Sequence, residues 1–250
     1  GQGAAGRIGA MTARTVPLEG YFTEMGRFFQ ILGRTLAWTF RPPYDFQQLT
    51  RQMVRIGVDS LPVVLLTALF TGMVMALQTF STLKRFNAEG FVGSLVAISM
   101  VRELAPVISS LLIAGRCGSA MGAELGTMRV TEQIDALEVL ATDPVHYLVV
   151  PRVWATILML PLLIVVADVI GIAGGYLISV VYFGANPVTY VENTFRFMDL
   201  ADLSSGLIKA AVFGLIIAVV GCQKGYFTRG GAEGVGRATT RAVVLASIAI

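Results

Sequence analysis

Charge is scarce in this sequence. Only 14% of its 250 residues are Asp, Glu, Lys or Arg, against about 25% in an ordinary soluble domain. So few charges cannot clothe a water-facing surface when 55% of the chain is hydrophobic. A mean hydropathy of +0.71 calls for lipid as the solvent. Histidine is scarcer still: His146 is the sole example, which excludes a histidine-rich metal site and argues against a Ser-His-Asp hydrolase. The two cysteines, Cys117 and Cys222, lie in or beside apolar runs and read as small core residues, not as a disulfide framework. No P-loop pattern occurs, so no ATP is expected to bind by that route. Gly1, Gly3 and Gly6 spell G-x-G-x-x-G, but no strand precedes them and no βαβ unit surrounds them. The basic residues are spread along a chain of net charge +3, which leaves no footprint for nucleic acid.

What is present is a series of long apolar runs, which predicts an all-α polytopic membrane protein. Residues 1–20 read as a flexible tail, with Met11 as a possible native start. Over 21–56, an interfacial helix and linker are expected. Phe22, Met25, Phe29, Leu32 and Leu36 recur at helical spacing, while Glu24, Arg27, Gln30 and Arg34 fall elsewhere. That is an amphipathic helix suited to the membrane surface, ended by Pro42 and Pro43. The remainder, 57–250, holds five expected spans, near 61–83, 91–115, 160–183, 207–227 and 238–250, the last incomplete. A crossing needs about 20 apolar residues. Residues 149–183 contain Pro151 and Pro161 and read as one span entered through an elbow at the membrane edge.

Charge bias sets the orientation. With the amino terminus in the cytoplasm, 14 basic residues fall inside and 3 (Lys84, Arg85 and Arg196) fall outside, as the positive-inside rule requires. Splitting 149–183 into two spans would move the basic 224–241 segment outside, so a single crossing is preferred.

Three features stand out from the apolar background. Arg102 and Glu103 sit within the second span, where a charge costs about 2.5–3.5 kcal/mol. Adjacent helical residues point about 100° apart, so each needs its own partner or a watery cavity; Lys209, Asp168 and Asp202 are the candidates. Either a polar element of a substrate cavity or a structural ion pair satisfies this. Gly118, Gly122 and Gly126, with Gly171 and Gly175, repeat every four residues and suit close helix packing, within the chain or across a dimer. Residues 127–143 form a charged, helix-prone stretch with an apolar stripe at Ile134, Leu137 and Leu140. It suits docking into a groove on a cytoplasmic partner, or covering the underside of the bundle.

The segment VRELAPVISSLLIAGRCGSAMGAELGTMRVTEQIDALEVLATDP (101–144) closely resembles the signature region of the MlaE/YrbE family, permeases of MCE-associated ABC transporters. Ala105 stands where the family usually has glycine. GMVMALQ (72–78) and RATTRAVV (237–244) are similar to further family motifs, and the likeness covers about residues 21–250. The resemblance implies a homodimeric permease in the bacterial inner membrane that moves phospholipid and maintains outer-membrane asymmetry. Implied partners are a cytoplasmic ABC ATPase subunit, which would hold ATP and Mg, a STAS-domain protein bound to that ATPase, and a periplasmic hexamer of MCE-domain subunits. It makes 127–143 the coupling helix, with Glu132, Asp135, Leu137 and Glu138 facing the ATPase. It places Met75, Leu83, Phe86, Glu103 and Leu104 along a lipid cavity, with Arg102 adjacent. Alternatives are another apolar cargo, such as a sterol, or an intramembrane enzyme using Asp168, Glu103 or His146.

Overall fold

The computed structural model describes residues 17–39 and 45–250, with side chains from residue 23 onward. The Gly1–Ala10 tail, Met11, Pro42, Pro43 and the side chain of Phe22 lie outside the described residues. Among the described residues the fold is all helical.

Helix α1 (Pro17–Thr39) precedes α2 (Phe46–Ile56), which Asp45 caps by accepting from the Gln48 amide at 3.0 Å. After a 3₁₀ turn comes α3 (Leu61–Leu83). A second long rod follows: α4 (Val92–Ser99), a π turn (Met100–Leu104), α5 (Ala105–Ile113), another π turn and α6 (Ser119–Val130). A short α7 (Gln133–Val139) leads to α8 (Val150–Tyr176), which π turns extend at both ends. Then come α9 (Pro187–Arg196), α10 (Leu200–Tyr226) and α11 (Gly231–Ala249).

Among the described residues, four stretches are long and apolar enough to cross a membrane: Phe46–Phe86, Glu89–Val130, Val145–Tyr182 and Leu200–Tyr226. The expected fifth span coincides with α11, which is helical but lies outside that set. The second and third rods are longer than the hydropathy suggested. At about 1.5 Å per residue, the 42 residues of Glu89–Val130 reach about 63 Å, twice the hydrocarbon thickness. The elbow expected before residue 160 is a continuous helix: Pro151 occupies its first turn, where no N–H is needed, and Pro161 is tolerated inside.

One end of the bundle gathers α1, α2, α7 and the turn between α10 and α11. Arg34 on α1 holds Asp143 at 2.9 Å, Glu24 pairs with Lys224, and the Tyr226 hydroxyl lies 3.5 Å from Glu138. The 84–91 and 183–199 connections form the other end, where Asn193 donates to the Gly90 carbonyl at 2.7 Å and Phe80 stacks on Phe183 at 4.1 Å.

Small residues make the centre possible. On α3, Val64, Ala68, Gly72, Ala76 and Phe80 are buried, a row spaced by four that runs against α8. A Cβ on Gly72 would sit 1.9 Å from the Gly171 carbonyl oxygen, so here the two backbones touch. Gly175 lies against the side chains of Tyr190 and Val96. Gly118, Gly122 and Gly126 face Ile217, Ala242 and Thr228 of the same chain. Gly206, Gly214, Gly221 and Gly225 on α10 make further close approaches; the sequence reading passed over these four and Gly72.

Candidate functional site

The π turn at Met100–Leu104 has a local cause. Pro106 occupies the start of α5 and has no N–H to give the carbonyl four residues back, that of Arg102. Lys209 of α10 donates to this freed Arg102 oxygen at 3.0 Å and to the Glu103 carboxylate at 2.7 Å. Gly206, whose Cβ position would lie 2.5 Å from the Val101 oxygen, lets α10 come close enough. Arg102 turns to Asp202, 3.4 Å away. Asp202 is itself fixed, because it completes a capping box with Asp199 at the start of α10. Two oppositely oriented ion pairs therefore tie the second rod to α10. Their four side chains range from 17% to 66% exposed, so the quartet is not sealed in the core.

Of the three partners expected for Arg102 and Glu103, the structure supplies Lys209 and Asp202. Asp168 is not one of them. It is 5% exposed on α8, and its Oδ1 has no hydrogen-bond partner among the described residues. His146 packs its ring on Trp38 at 5.0 Å. It lies 22 residues from Asp168 along a continuous helix, about 33 Å at 1.5 Å per residue. His146 and Asp168, two of the groups weighed for an enzyme, thus do not converge.

An apolar groove of about 510 Å³ is lined by Leu66, Thr67, Phe70, Thr71, Val74, Met75 and Gln78 of α3 and by Leu104, the residue that follows Glu103. Leu104 belongs to the same π turn as Arg102 and Glu103, so one distortion positions both the ion pairs and one groove wall. Of the residues that the resemblance placed along a lipid cavity, Met75 and Leu104 line this groove. Leu83 packs on the core near the end of α3, and Phe86 stands 75% exposed in the following turn; neither lines the groove. Phe70 and Val74, both more than half exposed, were missed, although the spacing Leu66–Phe70–Val74 marks one face of a helix.

The stretch 127–143 is not one helix. The long rod continues to Val130, and Glu132 adopts a left-handed conformation (φ 60°) that reverses the chain before α7. Ile134 is buried and Leu137 packs on the core, whereas Val139 and Leu140, 87% and 73% exposed, point outward at the end of α7. The expected apolar stripe is therefore divided between core and surface. Asp135 pairs with Arg129, and Glu138 with Tyr226. The Arg34–Asp143 pair anchors α1 to this region. Burial pushes the Asp143 carboxyl up, but the two Arg34 bonds (2.9 and 3.0 Å) and the Val145 amide outweigh it, leaving the group below the usual aspartate range.

Fold and site together define a polytopic, all-α membrane protein with charged groups set within its spans. Residues 49–250 match the family model described as Permease MlaE, and the chain belongs to that family. A "Probable ABC transporter permease protein" from Rickettsia bellii is 46% identical over 227 residues, 91% of this chain and 88% of its own length. The "Intermembrane phospholipid transport system permease protein MlaE" of Haemophilus influenzae is 39% identical over 233 residues, 89% of this chain and 88% of its own. The chloroplastic "Protein TRIGALACTOSYLDIACYLGLYCEROL 1" of Arabidopsis thaliana is 40% identical over 220 residues, 88% of this chain and 63% of its own.

Proposed function

We propose that this chain is the permease subunit of an ABC transporter that moves phospholipid, and that the groove on α3 is its lipid-holding surface. The carrying observation is the adjacency at one π turn: Leu104 lines an apolar groove while Arg102 and Glu103 stand beside it in ion pairs. Apolar walls suit acyl chains, and a few polar groups at one end suit a headgroup. The Haemophilus relative, named for phospholipid transport, supports the same cargo. The chain works as a homodimer in the bacterial inner membrane, amino terminus in the cytoplasm, as the bias of basic residues supports. ATP and Mg belong to a separate cytoplasmic ATPase, with a STAS-domain protein on that ATPase and an MCE-domain hexamer on the periplasmic side. Glu132, Val139 and Leu140 give the ATPase its docking surface below α7, and α1 lies in the membrane interface.

The test is reconstitution. Proteoliposomes carrying the purified chain alone are expected to neither hydrolyse ATP nor transfer labelled phospholipid. Adding the copurified ATPase should start both. Covalent turnover of lipid by the chain alone would replace this reading with an enzyme. Transfer of sterol in preference to phospholipid would keep the permease and change the cargo.

A further inference from the structure

The carboxy-terminal motif beginning at Arg237 takes no part in the groove, and its surroundings are of another kind. A cleft of about 250 Å³ opens between α1, the end of α10 and the first turns of α11. Arg27, Lys224, Arg229, Arg237 and Arg241 line it, against one acid, Glu24. That acid is already engaged: Glu24 pairs with Lys224, whose side chain is 8% exposed, and the Gln223 amide donates to the Glu24 carbonyl at 2.8 Å. Arg27 rests over the Phe227 ring at 5.0 Å, and Arg237 reaches Glu233, a well-exposed side chain, at 3.5 Å. Arg229 and Arg241 have no acidic partner among the described residues.

Backbone adds to the same field. Gly230 and Gly231 both take left-handed conformations (φ 93° and 63°) to start α11, a helix of 19 residues with no side-chain cap. Its first N–H groups are left for an outside acceptor. Five cations around one engaged carboxylate repel one another, and an anion in the cleft offsets that repulsion. On the opposite face of α1 from Arg27, Met25 and Phe29 are 58% and 60% exposed. An apolar face on one side of α1 and unpaired guanidinium groups across the helix from it suit the level where acyl chain meets headgroup.

We propose that this cleft binds the phosphate of an anionic glycerophospholipid from the surrounding leaflet, at the headgroup level that the amphipathic α1 marks. The site is separate from the groove on α3 and does not depend on which cargo that groove carries. The bound lipid fixes α1 against α10 and α11.

A phosphatidylglycerol probe with a photoreactive diazirine near the glycerol tests this on the purified protein in detergent micelles. Cross-links should map to residues 227–241, and unlabelled phosphatidylglycerol should compete where phosphatidylcholine does not. The Arg229→Gln/Arg241→Gln variant should label about thirty-fold less, two residues' worth of attraction at an anionic surface. Arg85→Gln, at the opposite end of the bundle, should label as the wild type does. Equal labelling by a phosphatidylcholine probe, or cross-links confined to α3, would overturn the proposal. Competition by inorganic phosphate as effective as by the lipid would assign the site to a soluble phosphate and overturn the membrane source. Should the double variant fail to fold, wild-type labelling is read at high salt: a fall is expected, and persistence would overturn the proposal.

Discussion

Helix α3 has two apolar faces that do opposite things. One carries Ala68, Gly72 and Ala76, all buried against α8. The other carries Leu66, Phe70 and Val74, all more than half exposed. Hydropathy cannot separate them, because both are equally at home in hydrocarbon. Size does. In lipid no hydrophobic force brings helices together, so contact goes to faces whose small residues let backbones meet. Large side chains fall where the neighbour is fluid or a ligand.

The sharpest break in this contrast is Gly72→Leu. A side chain there must displace the Gly171 backbone, and we expect a loss of about 3 kcal/mol or more, read as a collapse in yield and in the thermal midpoint of the purified protein. A near-normal midpoint would mean that the two helices are not in contact. On the open face, Leu104→Trp fills the groove without touching the α8 seam. Phospholipid transfer should fall about tenfold, about 1.4 kcal/mol, while the midpoint stays put; a falling midpoint would turn the groove into a packing surface. Glu103→Leu is expected to be milder, since Lys209 keeps the Arg102 carbonyl. Transfer should drop by a few-fold with assembly intact, whereas loss of the assembled protein would make the ion pair a purely structural tie. Remote from both faces, Asp143→Asn should cost about 1 kcal/mol or less, because Arg34–Asp143 is partly exposed. Asp143 titrates below its ordinary value of 3.8. Its contribution is therefore complete above that pH and lost as the pH falls through the lower folded-state value. Wild type and variant should converge in acid, followed by protease cleavage within α1.

Much of this was legible in the sequence, for reasons that can be named. The cost of a charge in hydrocarbon pointed to partners for Arg102 and Glu103, and Lys209 and Asp202 are those partners. Asp168 is an equally strong candidate by that reasoning, yet it is buried on α8 with its Oδ1 unpartnered among the described residues. Apolar runs reported where lipid contact is favourable, not where helical hydrogen bonding stops, so the rods ending at Val130 and starting at Val145 outrun the expected spans. The break in 127–143 depends on the backbone angle at Glu132, a residue with no composition signal for a left-handed turn. The buried row on α3 was overlooked because that span is apolar on every side, which hides its periodicity.

Pro106 removes one hydrogen from the backbone, and a cation one helix away takes the vacancy. Sliding either helix by one turn, about 5.4 Å, would part the Lys209 ammonium from a carbonyl and a carboxylate in the same instant. The second rod and α10 are thus latched into a single strut.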